Sequence, residues 1–233
     1  MSAFLDALRR RASEGRIPVI PDIKRISPAD GPLFPGRDPV EAAAGLVRAG
    51  APVLSVVTEE THFGGSLELL RDIADAAGVP ILRKDFIRSI RDIAVTAACG
   101  ASAVLLICAS LDADTLRACY AEALKLGLEP LVEAHTAAEL RFAAGLGCPL
   151  LGVNNRDILD LERDGGTVDR TAMLAFLKPP GAFLVSESGL QTPDDVRSAI
   201  RSGADGALVG TAIWRAEDPF AFYRALSGAE VGP

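Results

Sequence analysis

The chain has 233 residues, of which 49% are hydrophobic and 24% are charged, and its formal net charge is −7. This length and apolar content favour one domain over residues 1–233 with a buried core, and they argue against disorder. The acidic balance, without a basic stripe, argues against nucleic acid as a partner. No apolar run is long enough to span a bilayer, so we expect no membrane partner and a cytoplasmic location.

The predicted elements repeat along the chain. An amphipathic helix near residues 3–14 comes first. Each later unit is an apolar run of about five residues, a polar or Gly-rich turn, and an Ala- and Leu-rich helix closed by Gly. The predicted strands lie near 18–23, 53–57, 80–83, 103–107, 129–133, 150–153, 183–186 and 205–209. The predicted helices lie near 39–49, 66–77, 89–99, 112–126, 136–146, 169–177, 192–202 and 218–227.

The strands read as continuous Val/Ile/Leu runs, which is typical of parallel strands buried on both faces. Eight such strands alternating with eight helices predict an α/β fold, the (β/α)8 TIM barrel. A doubly wound open sheet is the competing architecture, but no G-x-G-x-x-G follows the first strand. The loop at 24–38, rich in Pro and Gly, is the longest predicted strand-to-helix connection and the best candidate for a lid.

Polar residues stand where the predicted strands end, and active sites of this barrel lie at those carboxyl ends. Asp22 and Lys24 point to the same side of the first strand because side chains alternate, and Lys84 ends the third. The further strand-end residues are Glu133, Asn154–Arg156, Ser186–Gly189 and Gly210–Thr211. A single residue of this kind is most often a solvated loop residue, whereas six of eight strands delivering them predicts a common pocket. Lysines and carboxylates brought together there would shift one another's pKa values and allow acid–base catalysis.

The last two strands indicate a phosphate site. Ser188–Gly189 and Val209–Thr211 fit the usual phosphate position of this barrel, where glycines let backbone N–H groups approach an anion. The alternative is that the glycines serve only tight turns. We therefore expect a phosphorylated small-molecule substrate.

Neither the cysteines nor the histidines predict a metal site. The four cysteines, Cys99, Cys108, Cys119 and Cys148, lack C-x-x-C spacing and are predicted to be small apolar core or near-surface residues. His62 and His135 stand on different strand ends without ligand spacing. His62 is predicted to belong to a lid, and His135 to a post-strand loop with a structural hydrogen bond.

These strand ends resemble the indole-3-glycerol-phosphate synthase family of tryptophan biosynthesis. The matching segments, in chain order, are Asp22–Pro28, Leu54–Glu59, Leu82–Ile87, Leu131–Thr136, Gly152–Asp157, Ser186–Gly189 and Arg215–Pro219. The resemblance implies a carboxy-lyase without a cofactor. Its reaction closes the ring of 1-(2-carboxyphenylamino)-1-deoxyribulose 5-phosphate with loss of carbon dioxide and water.

The resemblance also implies residue roles. Lys84 would be the general acid, Glu133 would assist proton transfer, and Lys24 with Asp22 would serve substrate carboxylate binding and dehydration. The implied substrate-binding residues are Asn154, Arg156, Glu187 and Ser188, with Phe63 and Phe86 as walls for the aromatic ring or as plain core. The implied phosphate-binding residues are Ser27, Gly189, Gly210 and Thr211.

The chain departs from the family pattern at several positions. Asp22 replaces the usual Glu, Asp30 stands where a Lys is usual, Ser89–Asp92 differ from the usual Asp, Tyr and Gln, and Arg163–Gly166 is atypical. These departures keep alternatives open: a divergent paralogue acting on a different aryl-amino sugar phosphate, a phosphate-binding barrel of low activity, a Schiff-base aldolase, or a ketose isomerase. We expect a monomer or weak homo-oligomer.

Overall fold

The computed structural model describes residues 3–156 and 168–228. Its eight main strands form a closed, all-parallel barrel, which confirms the predicted (β/α)8 fold. The barrel strands are β1 (Val19–Ile23), β2 (Leu54–Val57), β3 (Ile81–Lys84), β4 (Ala103–Ile107), β5 (Glu129–Ala134), β6 (Leu150–Asn154), β7 (Phe183–Glu187) and β8 (Gly206–Val209). Each strand pairs with its neighbours in the chain, and β8 pairs with β1. The prediction of one domain over residues 1–233 stays a prediction, and Asp157 and Arg163–Gly166 lie outside the described residues.

The helices follow the predicted order. They are Ala3–Ser13, Pro39–Arg48, Leu67–Ala77, Ile90–Ala98, Ala113–Lys125, Ala137–Gly145, Asp169–Leu174, Pro193–Arg201, Thr211–Arg215 and Pro219–Ser227. Several predicted helices begin one residue too early because that residue is the N-cap: the Ser66 side chain accepts from the Leu69 N–H, and Thr136 and Thr192 each form a capping box. No helix in the described ranges is long and apolar enough to cross a membrane.

Three local features differ from the sequence expectations. The predicted helix 169–177 is an α-helix only to Leu174 and ends in a 3-10 turn, Ala175–Leu177. The predicted loop 24–38 contains a two-stranded hairpin of Ile26–Ser27 and Gly31–Pro32. A further short helix, Thr211–Arg215, follows β8. Each feature is shorter than the window over which hydrophobic periodicity can be recognised.

The N-terminal helix closes one mouth of the barrel. Phe4, Leu5 and Leu8 are buried in the cluster that fills the barrel interior. Glu129, at the start of β5, accepts hydrogen bonds from the backbone N–H groups of Phe4 (2.6 Å) and Leu5 (2.9 Å). A carboxylate at a helix N-terminus is favourable because the unpaired N–H groups there carry partial positive charge.

Replacing Leu8 should lower the stability of the protein, because Leu8 belongs to the helix that closes one mouth of the barrel. Leu8 is fully buried, so Leu8→Ala removes apolar contacts and leaves a cavity, with an expected loss of about 2–5 kcal/mol in the free energy of unfolding. Leu124→Ala is the matched control, because Leu124 is exposed and its replacement should change stability by less than about 0.5 kcal/mol. Urea denaturation measures both changes. Equal losses of unfolding free energy in the two variants would contradict a stabilising role of the N-terminal helix at the mouth of the barrel.

Candidate active site

Four charged residues lie near the carboxyl ends of alternate strands: Asp22 on β1, Lys84 on β3, Glu133 on β5 and Glu187 on β7. The residue two positions before each of them belongs to the apolar cluster inside the barrel, so all four side chains face the interior. Alternate strands contribute the side chains of one interior layer in this fold. We call these four residues the charged layer. Glu187 interacts electrostatically with each of the other three. The structure therefore brings together the predicted general acid and three predicted carboxylates.

The carboxylates of the charged layer are deeply buried. Glu187 is 0% exposed, Glu133 is 1% and Asp22 is 3%. Burial, followed by the negative charge of Glu133, raises the pKa of Glu187 well above its usual value, whereas Lys84 opposes that shift. A carboxyl group in such surroundings favours its neutral form.

Asp22 is held by bonds to its side chain and its backbone. The Ser55 hydroxyl donates to Asp22 Oδ1 at 2.6 Å, and the Trp214 indole N–H donates to the backbone carbonyl of Asp22 at 2.7 Å. A Cβ atom on Gly210 would lie 3.2 Å from Asp22 Cβ, so β8 approaches closely. The shorter carboxylate that departs from the family pattern thus has its own hydrogen-bond donor.

Above the charged layer lies a small polar cleft with a cavity volume of about 40 Å³. Eight predicted site residues line it: Asp22, Lys24, Lys84, Arg156, Ser188, Gly189, Gly210 and Thr211. Val209, from the predicted phosphate segment Val209–Thr211, also lines it, and residues that the sequence did not single out complete the lining: Leu190, Gln191, Leu208 and Ala212. The three cationic side chains stand in the same cleft as the backbone of the predicted phosphate segments. This combination suits an anionic ligand.

The two predicted aromatic walls lie in different places. The Lys24 ammonium is 5.7 Å from the ring centroid of Phe63, within range of a cation–π interaction. Phe86 packs against the apolar cluster inside the barrel. Neither phenylalanine is part of the cleft lining, so their contact with an aromatic substrate stays a prediction.

Ser27 and Asp30 form a contact of their own at the hairpin. The Ser27 hydroxyl donates to Asp30 Oδ2 at 3.1 Å, and Asp30 also forms an ion pair with Arg215. Ser27 is buried and is absent from the cleft lining. The anion that replaces the usual cation therefore has a cationic partner, and the predicted phosphate contact of Ser27 stays a prediction.

The 24–38 segment packs onto the end of the barrel. The rings of Phe34 and Trp214 have centroids 4.4 Å apart, and Arg37 donates to the Trp214 carbonyl at 3.1 Å. The backbone N–H of Ile26 donates to the carbonyl of Phe63 at 3.0 Å. These contacts link the segment to the loops after β2 and β8.

A buried network fixes the end of β3 on either side of Lys84. The Arg83 guanidinium donates to Thr58 Oγ1 at 2.9 Å, to Thr96 Oγ1 at 2.9 Å and to Asp85 Oδ2 at 2.7 Å. Because side chains alternate along a strand, Arg83 and Asp85 point away from the interior and Lys84 points into it. The network was not predicted from the sequence, although Arg and Asp flanking a strand-end Lys was a visible signal.

The departure at Ser89–Asp92 builds a helix start. Asp92 Oδ2 accepts from the backbone N–H groups of Arg88 at 3.0 Å and Ser89 at 2.9 Å, which forms a capping box. Burial is the largest single effect on the pKa of Asp92 and acts to raise it. The hydrogen bonds that Arg88 and Ser89 donate act in the opposite direction, and the pKa lies below its usual value. Arg83 reaches the same turn by donating to the Asp92 carbonyl at 3.1 Å. The altered residues therefore still connect the helix to β3.

The two histidines occupy loops after strands. The backbone N–H of His135 donates to Glu139 at 2.6 Å, which confirms its predicted structural hydrogen bond. Its ring lies between two carboxylates, with Nε2 3.6 Å from Glu133 Oε1 and Nδ1 3.7 Å from Glu139 Oε2. His62 is exposed and lies 3.1 Å from Glu59. Within residues 3–156 and 168–228, no group of three or more His, Cys, Asp or Glu side chains is placed to hold a metal ion.

Fold and site together define an enzyme of the (β/α)8-barrel class, with its charged cleft at the carboxyl ends of the strands. The family model for indole-3-glycerol phosphate synthase matches residues 1–226. The chain belongs to the indole-3-glycerol phosphate synthase family.

Named relatives agree with that assignment. The indole-3-glycerol phosphate synthase of Pyrococcus furiosus is 43% identical over 215 residues, covering 92% of this chain and 93% of the relative. The enzyme of the same name from a Nocardioides species is 44% identical over 212 residues, covering 91% and 80%. A solved thiamine phosphate pyrophosphorylase from P. furiosus has a TM-score of 0.64 at 16% identity, covering 89% of this chain and 92% of its own. That last likeness shows the fold alone.

Breaking the Arg83 network should affect both stability and turnover. Arg83→Met leaves the Asp85 carboxylate without its cation, at an expected cost of about 3 kcal/mol in the free energy of unfolding. Loss of the Arg83 network beside Lys84 should also lower kcat roughly tenfold, because the network positions Lys84. Arg91→Met is the control, because Arg91 is exposed on the following helix. Urea denaturation and turnover measurements in which the two variants behave alike would show that the network does not position β3.

Proposed function

We propose that this chain catalyses the indole-3-glycerol phosphate synthase reaction at the charged cleft, with Lys84 as the general acid. The substrate is 1-(2-carboxyphenylamino)-1-deoxyribulose 5-phosphate, and the products are indole-3-glycerol phosphate, carbon dioxide and water. The observation that carries the assignment of Lys84 is its position, at the end of β3 inside a cleft that also contains the phosphate segments. The uniform name of the relatives favours this reaction over a divergent substrate or a binding barrel.

Lys84 suits the first chemical step. Attack of the aromatic carbon on the ketone builds negative charge on the ketone oxygen. A cation at that oxygen stabilises the transition state more than the ground state, and an ammonium can also deliver a proton there. Glu133, buried across the barrel, is the group assigned to assist proton transfer; the attacking ring carbon carries the carboxyl group and releases no proton. Loss of carbon dioxide then restores aromaticity.

The later steps are assigned to β1 and the rim. Lys24 and Asp22 are assigned to binding of the substrate carboxylate and to the dehydration step. Lys24 lines the cleft close to Phe63. Asn154, Arg156, Glu187 and Ser188 hold the sugar portion. The phosphate binds the backbone of Gly189, Gly210 and Thr211, with Ser27 as a further contact on closure of the lid.

Partners and location complete the proposal. The substrate is the only partner assigned, without nucleic acid or membrane, and the chain acts as a monomer or weak homo-oligomer in the cytoplasm. No cofactor or metal is assigned, since the steps above need only proton transfer and electrostatic stabilisation.

The purified chain should convert the synthetic substrate to product. Incubation with the carboxyphenylamino-deoxyribulose phosphate should raise indole fluorescence in step with the carbon dioxide released, one molecule for each indole formed. An absence of product above the rate without protein would contradict the proposed function.

Lys84→Met should abolish turnover, because it removes the proton donor while keeping an unbranched side chain of similar length. The expected fall in kcat is at least about a hundredfold. Lys125→Met, on the exposed end of the helix Ala113–Lys125, is the control and should keep wild-type kcat. Fluorescence assays give the rates, and thermal unfolding checks that both variants fold. An active Lys84→Met would mean that another group is the acid.

A further inference from the structure

The strand between Glu133 and Glu187, β6, has no side chain in register with Glu133. Gly152 on β6 is paired in register with Glu133 on β5, and the next strand, β7, carries Glu187. A Cβ atom at position 152 would lie 2.1 Å from Glu187 Oε1 and 3.5 Å from Glu133 Cα. The glycine therefore gives the Glu187 carboxyl group the space to lie across β6 toward Glu133.

Neither oxygen of Glu187 has a hydrogen-bond partner within standard geometry among the described residues, and Glu133 Oε1 is in the same condition. Glu133 and Glu187 are each 1% exposed or less, so bulk water does not supply the missing hydrogen bonds. Two buried ionised carboxylates that face each other across a glycine repel each other strongly, and such pairs hold one proton. The charges that face Glu187 from other strands are Lys84 on β3, which favours ionisation, and Asp22 on β1, which opposes it. His135 faces Glu133 at 3.6 Å.

We propose that Glu133 and Glu187 hold one proton between them, with Glu187 as the neutral, hydrogen-bond-donating member and Glu133 as the ionised one. The two carboxyl groups then have different uses in the proposed function, on which this inference rests. Ionised Glu133 can accept a proton from the substrate. Neutral Glu187 can donate a hydrogen bond to a substrate oxygen and keeps its own proton. Burial and the neighbouring anion both act in this direction on the pKa of Glu187.

Infrared spectroscopy of the substrate-free protein tests the proton directly. At pH 7 the wild type should show the carbonyl stretch of a protonated carboxyl group, which should disappear as the pH rises and Glu187 ionises. Glu187→Gln, which has the same shape, should remove one such band. Glu68→Gln, on the exposed face of the helix Leu67–Ala77, should leave the spectrum unchanged. Circular dichroism checks that each variant is folded.

Glu133→Gln is the second test, and it keeps the proposal open to contradiction if Glu187→Gln does not fold. Removing the neighbouring anion should shift the ionisation of Glu187 to lower pH by at least about one unit. A wild-type spectrum without a protonated carboxyl band at pH 7 would overturn the proposal, as would a band that survives in Glu187→Gln or an ionisation unmoved in Glu133→Gln. Because no substrate is used, these results are independent of whether the protein turns over carboxyphenylamino-deoxyribulose phosphate.

Discussion

The burial of charge at one end of the barrel is the constraint on which the site depends. A charged side chain removed from water is costly unless other groups compensate. Here an ammonium and three carboxyl groups from alternate strands share one layer, and Glu187 responds to all three of the others. The apolar side chains below this layer, sealed by the N-terminal helix, supply the stability that such an arrangement requires.

The groups around the charged layer hold it in place. Asp22 is fixed by Ser55 and Trp214, and the end of β3 by the Arg83 network. Where the chain departs from its family's usual residues, the structure provides local partners: Arg215 pairs with Asp30, and Asp92 caps its own helix. The substitutions therefore alter how the loops are supported and leave the charged cleft assembled.

The sequence predicted the barrel because the unit of an apolar strand followed by a helix is repeated eight times, and each repeat independently indicates a strand-helix unit. It also predicted that Asp22, Lys24 and Lys84 would share a pocket, because strand ends meet at one rim. It did not predict the Arg83 network, the Asp30–Arg215 pair or the role of Gly152. Those features depend on contacts between residues distant in the chain. The sequence alone also does not distinguish a glycine required by a turn from one that leaves room for a neighbouring carboxyl group.

Turnover at this cleft requires one ligand to contact the charged layer and the backbone of Gly189, Gly210 and Thr211 at the same time. A crystal structure with indole-3-glycerol phosphate bound tests this most directly. We expect the phosphate against the backbone N–H groups of Gly189 and Thr211, with the rest of the ligand in the cleft beside Lys84. A phosphate bound elsewhere, or a ligand that leaves Lys84 out of reach, would contradict it.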